Sequence, residues 1–293
     1  MKNLHVKNLV ISASMLILSG ICSLGYSQKR SDAPPVSGGV KLVYIFPGNK
    51  PFKYVNDTKV VQNMDVNDQS MLVNISMIMG CEVKPAVKQG ENLKLEIKID
   101  TMAQSIESPQ GNSGGPINEV KGKSFNLIIS PTGKSIDLSE ASKVVYNVEG
   151  SGESNLGQTF LSYFPTLPTG IVKPGDTWVS NDTLDSKSPT TTVWMPVESK
   201  YKFEGIENID GIECAKISAA LSGTRKMTTQ SQGMNISTNG PFTGTTVILF
   251  AIKDGYLVKE SVTSKMTGKI EIPEQNMSFP VVMDITSVNQ IVK

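Results

Sequence analysis

Shifted against itself by about 122 residues, the sequence lays one series of alternating apolar residues over another, which limits the folds open to it. Leu93, Leu95, Ile97 and Ile99 alternate with Lys94, Glu96, Lys98 and Asp100, and the shift places Ala215, Ile217, Ala219 and Leu221 on the apolar four. Val73, Ile75, Met79 and Cys81 fall on Met195, Val197, Tyr201 and Phe203, with Met77 on Ser199 as the one polar mismatch. Alternation with period two is the mark of a strand with one face buried. Gly122 and Gly133 map onto Gly244 and Gly255. A short apolar run lies between each pair and ends in a turn, Ser130-Pro131-Thr132-Gly133 or Lys253-Asp254-Gly255. Glycine supplies the positive φ such hairpin turns need.

Two such units, each with about five strands, would each expose sheet edges, and one curved sheet made from both pairs those edges and shares a core. The expected fold is mainly β: a strongly curved antiparallel sheet or unclosed barrel of two similar halves, with few short helices. The expected organisation is a signal peptide at 1–27, a tether at 28–39, a first β-rich half at 40–150, a helical or irregular joint at 151–178 and a second half at 179–293. The joint carries Phe164-Pro165-Thr166-Leu167-Pro168 and Pro174-Gly175-Asp176-Thr177-Trp178, and Trp178 is expected to be buried against both halves. Short helices are expected at Ser139–Ser142 and from Leu156 until Pro165 ends the run. The polar stretches Gln104–Lys121 and Thr224–Thr245 should form loops or ragged hairpins on one side of the molecule.

The first residues read as an export signal. Lys2 and Lys7 precede an apolar run from Leu9 to Ile21, too short to span a bilayer, and Gly25-Tyr26-Ser27 offers a cleavage site before Gln28. A lipid anchor at Cys22 is the second choice, because bulky Ile21 precedes it. The expected location is therefore the periplasm or the exterior, with no transmembrane segment after cleavage. Removing 1–27 leaves 26 bases against 27 acids and no histidine, since His5 is the only one. A near-neutral chain without a basic cluster is a poor partner for nucleic acid. Cys81 and Cys214 remain, and either buried free thiols or a bridge is open to them.

Several motifs invite a chemical reading and fail it. Gly111-Asn112-Ser113-Gly114-Gly115-Pro116 is close to the segment around a serine protease nucleophile, but cleavage leaves no histidine to take the serine proton. Gly122-Lys123-Ser124 and Gly133-Lys134-Ser135 lack the glycine five residues earlier that a phosphate loop requires. Asp65-Val66-Asn67-Asp68 lacks the glycine and terminal glutamate of a calcium loop. No metal, cofactor or catalytic residue is assigned. Methionine adapts its shape, so methionines in strands can line a cavity for varied apolar molecules. The candidate lining residues are Met77, Met79, Met195, Tyr201, Phe160 and Phe164.

Tyr44-x-Phe46, Leu167-Pro168, Pro174-Gly175-Asp176-Thr177-Trp178 and the turns at Gly133 and Gly255 resemble an uncharacterised family of exported Gram-negative proteins, over roughly residues 41–293. That family looks like a distant relative of the LolA/LppX-like lipoprotein carriers, whose open half-barrels cup acyl chains over a helical plug. The resemblance implies a non-catalytic envelope module for an apolar or amphiphilic ligand, with another envelope protein as a possible partner. A structural or interaction protein with a filled core is the alternative, and a carboxylate-based hydrolase the third reading.

Overall fold

The computed structural model describes residues 39–48, 51–66, 69–86, 89–148, 152–188, 190–231 and 233–292. The export signal and residues 28–38 of the tether lie outside them. The first half contains β1 (Val40–Lys41), β2 (Phe52–Val66), β3 (Gln69–Pro85), β4 (Leu93–Ser108), β5 (Gly111–Pro116), β6 (Ser124–Ile129) and β7 (Ser135–Asp137). Next come α1 (Ser139–Ser142), β8 (Val145–Val148), β9 (Gly152–Asn155), α2 (Leu156–Phe160) and β10 (Ile171–Val172). The second half is β11 (Thr177–Lys187), β12 (Thr191–Ile209), β13 (Ile212–Ser231), β14 (Met234–Ala251), β15 (Tyr256–Ile272) and β16 (Met277–Val292).

One antiparallel sheet dominates, in the order β11-β12-β13-β14-β15-β16-β2-β3-β4-β6-β7, with β5 beside β4. Each half is a meander in which successive strands pair, and the two meanders meet where β16 pairs with β2, from Val281↔Met64 to Val292↔Lys53. The joint therefore does not link the halves within the sheet; the first and last long strands do. The sheet is curved and not closed into a barrel, with β11 and β7 at its two ends. Extra residues at Gly80/Cys81, Phe203/Gly205 and Leu249/Phe250 interrupt the pairing and bend the strands there.

The duplication holds in strand order: β2, β3, β4, β6 and β7 correspond to β11, β12, β13, β14 and β15. The hairpins that join them recur about 121 residues later. A single uniform shift does not hold. Ile97 faces Val83, but Ala219 faces Tyr201 rather than Gly205. The β3–β4 connection is long, whereas Asp210-Gly211 turns β12 into β13 in two residues, so the pairing slides by an even number and keeps every face. The polar stretches expected as loops or ragged hairpins are hairpins: the ends of β4 and β13 with their return strands, at the same end of the sheet.

Alternation decides what is inside. Along β2, Tyr54, Asn56, Thr58, Val60, Gln62 and Met64 are buried. The interior holds two apolar clusters, one at each end of the strands. The first contains Leu95, Ile97, Phe125, Leu127, Phe203, Ile217, Phe250 and Leu257, and the cap over the sheet joins it through Phe160, Tyr163, Phe164 and Leu167. The second contains Val60, Ile75, Val193, Met195, Phe242, Met266, Met283 and Ile285. A belt of buried polar side chains separates them: Asn56, Thr58, Gln104, Ser199, Thr246, Glu260, Ser264, Ser287 and Asn289. Thr58 and Ser287 share a hydrogen bond of 2.6 Å across β2 and β16, and Asn56 donates to Ser287 at 3.3 Å.

The chain before β2 is held by the two equivalent turns. The Tyr44 amide donates to Pro131 O at 2.8 Å, and the Ile45 amide to Gly255 O at 2.7 Å. Leu42, Tyr44 and Phe46 are buried beneath. Trp178 departs from expectation: it lies half-buried on the end strand β11, stacked on Tyr201 at 5.3 Å, and not between the halves. Cys81 and Cys214 are separate buried thiols.

Candidate functional site

The two ends of the sheet approach each other across a cleft of about 230 Å³. One wall is the inner face of the second half. Because the face alternates and the strands pair in register, its side chains form rows across the sheet. Tyr201, Ala219, Thr246 and Val262 make one row through successive pairings, and Asp182, Val197, Gly223 and Phe242 another two steps along. Leu184 and Met195 lie beyond. In the other direction Glu260 is paired with Ile248 and, across β16, with Asn289. The cleft therefore grades along the strands, from Glu260, Thr246 and Tyr201 to Phe242, Met195 and Leu184.

The opposite wall is the cap and the β6–β7 turn, with Ser162, Phe164, Pro165 and Thr166 above Gly133, Lys134 and Ser135. Local chemistry explains why the chain stands there. The Asn155 side chain accepts from the Gln158 amide at 3.2 Å and starts α2. The helix ends before Pro165, whose ring cannot continue it. Asn289 Nδ2 then donates to the Tyr163 carbonyl at 3.2 Å, and Leu167 N to Thr132 O at 2.8 Å. The cap is thus fixed to the polar belt on one side and to the Gly133 turn on the other.

On β11 the consecutive residues Asp182, Thr183 and Leu184 all line the cleft. Neighbours in a strand point to opposite faces, so it is the edge of β11 itself that borders the opening. Asp182 is exposed and accepts from Ser180 Oγ at 2.6 Å, whereas Glu260 is 7% exposed. Burial pushes the Tyr201 hydroxyl up to about 12, the negative charges of Glu260 and Asp182 add to this, and a Ser199 hydrogen bond opposes it. Tyr44 is raised well above its ordinary value by burial first and then by Glu260. Glu260 thus lies at the polar end of the cleft, whereas Asp182 borders the opening in the row of Val197 and Phe242.

Of the six residues singled out from the sequence, Met195, Tyr201 and Phe164 line this cleft. Met79 and Phe160 are packed inside the first apolar cluster. Met77 is buried beside Gln104, its partner across β3 and β4, and borders a separate depression with Ile78 and Pro116. Sequence reasoning missed Asp182, Glu260, Phe242 and Thr246. A signal for Glu260 existed: it shares its parity with Val262 and Met266, so a charged residue sits on an inward position. Among the described residues, no three His, Cys, Asp or Glu side chains gather, and no helix is long and apolar enough to cross a membrane.

No protein-family model matches the chain, and no curated protein matches it. Among solved structures it is similar to DynF from the dynemicin biosynthesis pathway of Micromonospora chersina, at 7% identity over 94% of this chain and 97% of that one, with a TM-score of 0.25. An exported protein with a YmcC-like fold from Bacteroides fragilis matches at 10% identity over 86% and 100%, with a TM-score of 0.22. A DUF1329 family protein from Desulfovibrio piger matches at 11% identity over 80% and 84%, with a TM-score of 0.13. At such TM-scores the functional argument rests on the chain's own geometry.

Proposed function

We propose that the protein is a non-catalytic, exported envelope module that holds an apolar or amphiphilic molecule in the cleft between β11–β15 and the Phe164–Pro165 cap. The observation that carries this is the composition of the opening: Leu184, Met195, Val197, Leu221, Phe242 and Val262 line one concave surface that ends in Thr246, Tyr201 and Glu260. Ligand sites are concave and mostly apolar, with a few polar groups that orient the guest. The volume of about 230 Å³ is below the roughly 300–1,000 Å³ of pockets that enclose a drug-sized ligand. A single chain or ring fits, with the remainder of the molecule outside. The export signal read in residues 1–27 supports the compartment, and the apolar lining of the cleft supports the ligand class.

A second reading, an interaction module with a filled core, draws on the solid packing around Met79 and Phe160. Native mass spectrometry of protein purified from its own envelope separates the two. A co-purifying hydrophobic mass that is lost in Val197→Trp, where the larger ring fills the cleft, supports the binding module. Wild-type protein that carries nothing, and that fails to take up a fluorescent fatty acid or alcohol, overturns it in favour of the filled module.

A further inference from the structure

We infer that the free edge of β11 takes a guest strand, an extended polypeptide segment of another envelope protein. The guest adds to the sheet beside β11, sets one large apolar side chain in the cleft against Leu184 and Met195, and places a lysine or arginine two residues away, opposite Asp182. This rests on the binding reading above and names the molecule held at the same site as a peptide.

Four observations converge on it. The first is that β11 is a long edge left open. Among the described residues no strand pairs with its far side, and a strand at a sheet's edge turns every second amide and carbonyl outward. Its pairing with β12 runs unbroken from Thr177↔Lys202 to Lys187↔Thr192, without a bulge, and it contains no proline. Shortness, proline and bulges are the usual means of blunting an edge. At the other end of the sheet β7 is only three residues long. The second is burial. The inward positions Trp178, Ser180, Asp182, Leu184 and Ser186 are none of them buried, whereas Val193, Met195 and Ser199, their partners on β12, are. A strand beside β11 would cover its inward row as β11 covers that of β12. The third is where the edge meets the cleft. Asp182, Thr183 and Leu184 all line it, so a strand paired there directs alternate side chains into the opening. The volume of about 230 Å³ suits one bulky side chain, and a hydrocarbon guest alone would leave the backbone edge unused. The fourth is charge. An inward charge on an edge strand is itself a guard, which admits a neighbour that answers it. Asp182 stands in the row of Val197, and Leu184 in the next with Met195. A guest residue opposite Leu184 therefore meets carbon, and the residue two positions along meets a carboxylate that attracts a cation and repels an acid. Lys134 lies exposed on the opposite wall, where water screens it. A second copy of this chain would bring another Asp182 and Asp185 to the same seam, which disfavours β11 as its own partner.

The probe is an end-blocked peptide, Thr-Lys-Thr-Leu-Thr-Lys-Thr, which presents the lysines and the leucine on one face in either strand direction. Titration calorimetry on the mature protein should show it binding, and hydrogen exchange should slow at alternate amides of β11. Of two copies, one N-methylated on its threonines and one on its lysines and leucine, one should bind at least about tenfold more weakly, because it loses the donors that face β11. Alanine in place of the leucine should weaken binding about tenfold. Glutamate in place of the lysines should weaken it about threefold to thirtyfold, and Asp182→Lys, on an exposed edge, should invert that preference. Equal binding of both N-methylated copies, or exchange protection that spares β11, overturns strand addition. Indifference to the lysine–glutamate exchange in both proteins overturns the chemistry assigned to the partner. A dimer that protects the β11 amides without peptide overturns the inference in favour of a second copy. Decanol bound where the peptide is not overturns it in favour of a lipid and leaves the binding module standing. Binding of neither overturns the binding module and this inference together.

Discussion

The Tyr44 hydroxyl donates a 3.0 Å hydrogen bond to the Pro165 carbonyl, joining residues 121 positions apart. Tyr44 is 2% exposed and packs edge-on against Phe164 and Phe250, so the bond lies where the strap before β2, the cap and the second half converge. Tyr44→Phe keeps the ring contacts and leaves a buried carbonyl without its donor, which costs about 1–3 kcal/mol. Urea denaturation should show a loss in that range with an unchanged slope. A loss near zero would show that water reaches Pro165 and that the cap is not held from this side.

Gly133 and Gly255 sit at equivalent turns, at φ of +93° and +64°. A Cβ on Gly133 would lie 2.5 Å from Tyr44 Cε2 and 2.6 Å from Pro165 O, and one on Gly255 would lie 2.5 Å from Val43 O. Both turns therefore need glycine twice, for their backbone conformation and for the strap that passes against them. Alanine at either should cost more than about 2 kcal/mol, since the left-handed conformation alone costs roughly 1–2 kcal/mol. If one substitution is severe and the other neutral, the two turns do not share the work of holding the strap.

Much of this arrangement could be read in the chain because strands announce their faces. The alternation in Leu93–Ile99 and the turn glycines carried strand order, the two halves and the inner positions of Met195 and Tyr201. The cleft was less legible. It forms where Phe164 meets Phe242 and Glu260, residues remote in sequence whose approach depends on how far the sheet bends, and bending comes from bulges such as the extra residue between Phe203 and Gly205. Period two says which way a side chain points, not what faces it across a curved sheet. The burial of Trp178 was misjudged for a related reason. A Pro-Gly-Asp turn marks where β11 begins, and nothing in it reveals that β11 ends the sheet, with no strand beyond to cover the indole.

Trp178 and Trp194 should still differ, by less than a fully buried indole would require. Trp178 stacks on Tyr201 with its ring plane 10° away and packs at the margin of the first cluster. Its truncation to alanine should cost about 1–2 kcal/mol, below the roughly 3–5 kcal/mol of a fully enclosed ring. Trp194 points outward, 40% exposed, with Lys226 Nζ 5.2 Å above its ring. An exposed cation–π contact contributes about 0.5–1 kcal/mol, so Trp194→Ala should cost no more than that. The paired denaturation curves check it, and a larger loss at Trp194 would mean that the strand faces of β12 are reversed.

Alkaline pH should weaken the fold through its buried thiols. Burial, first of all, pushes Cys81 up to about 12; the charges of Asp100 and Glu82 act in the same direction, and the hydrogen bond with the Tyr163 hydroxyl at 3.2 Å opposes them. Cys214 is likewise pushed up to about 12, by burial and then by Glu207. In the unfolded chain a thiol loses its proton near pH 8.5. Between about pH 9 and pH 12 the folded protein therefore binds more protons than the unfolded one, and stability falls as pH rises. It is fully present below that window and lost through it. Tyr201, also held up to about 12, adds a later contribution of the same sign. Denaturation midpoints measured from pH 7 to pH 11 should stay level at first and then decline, and the decline should be shallower in a Cys81→Ala, Cys214→Ala double variant. At pH 8 a thiol reagent should label neither cysteine in the folded protein and both in urea, because a protonated, enclosed thiol offers no nucleophile. Rapid labelling of the native protein at Cys81 would show that the cap opens beneath Tyr163 far more readily than its hydrogen bonds to Asn289 and Cys81 imply.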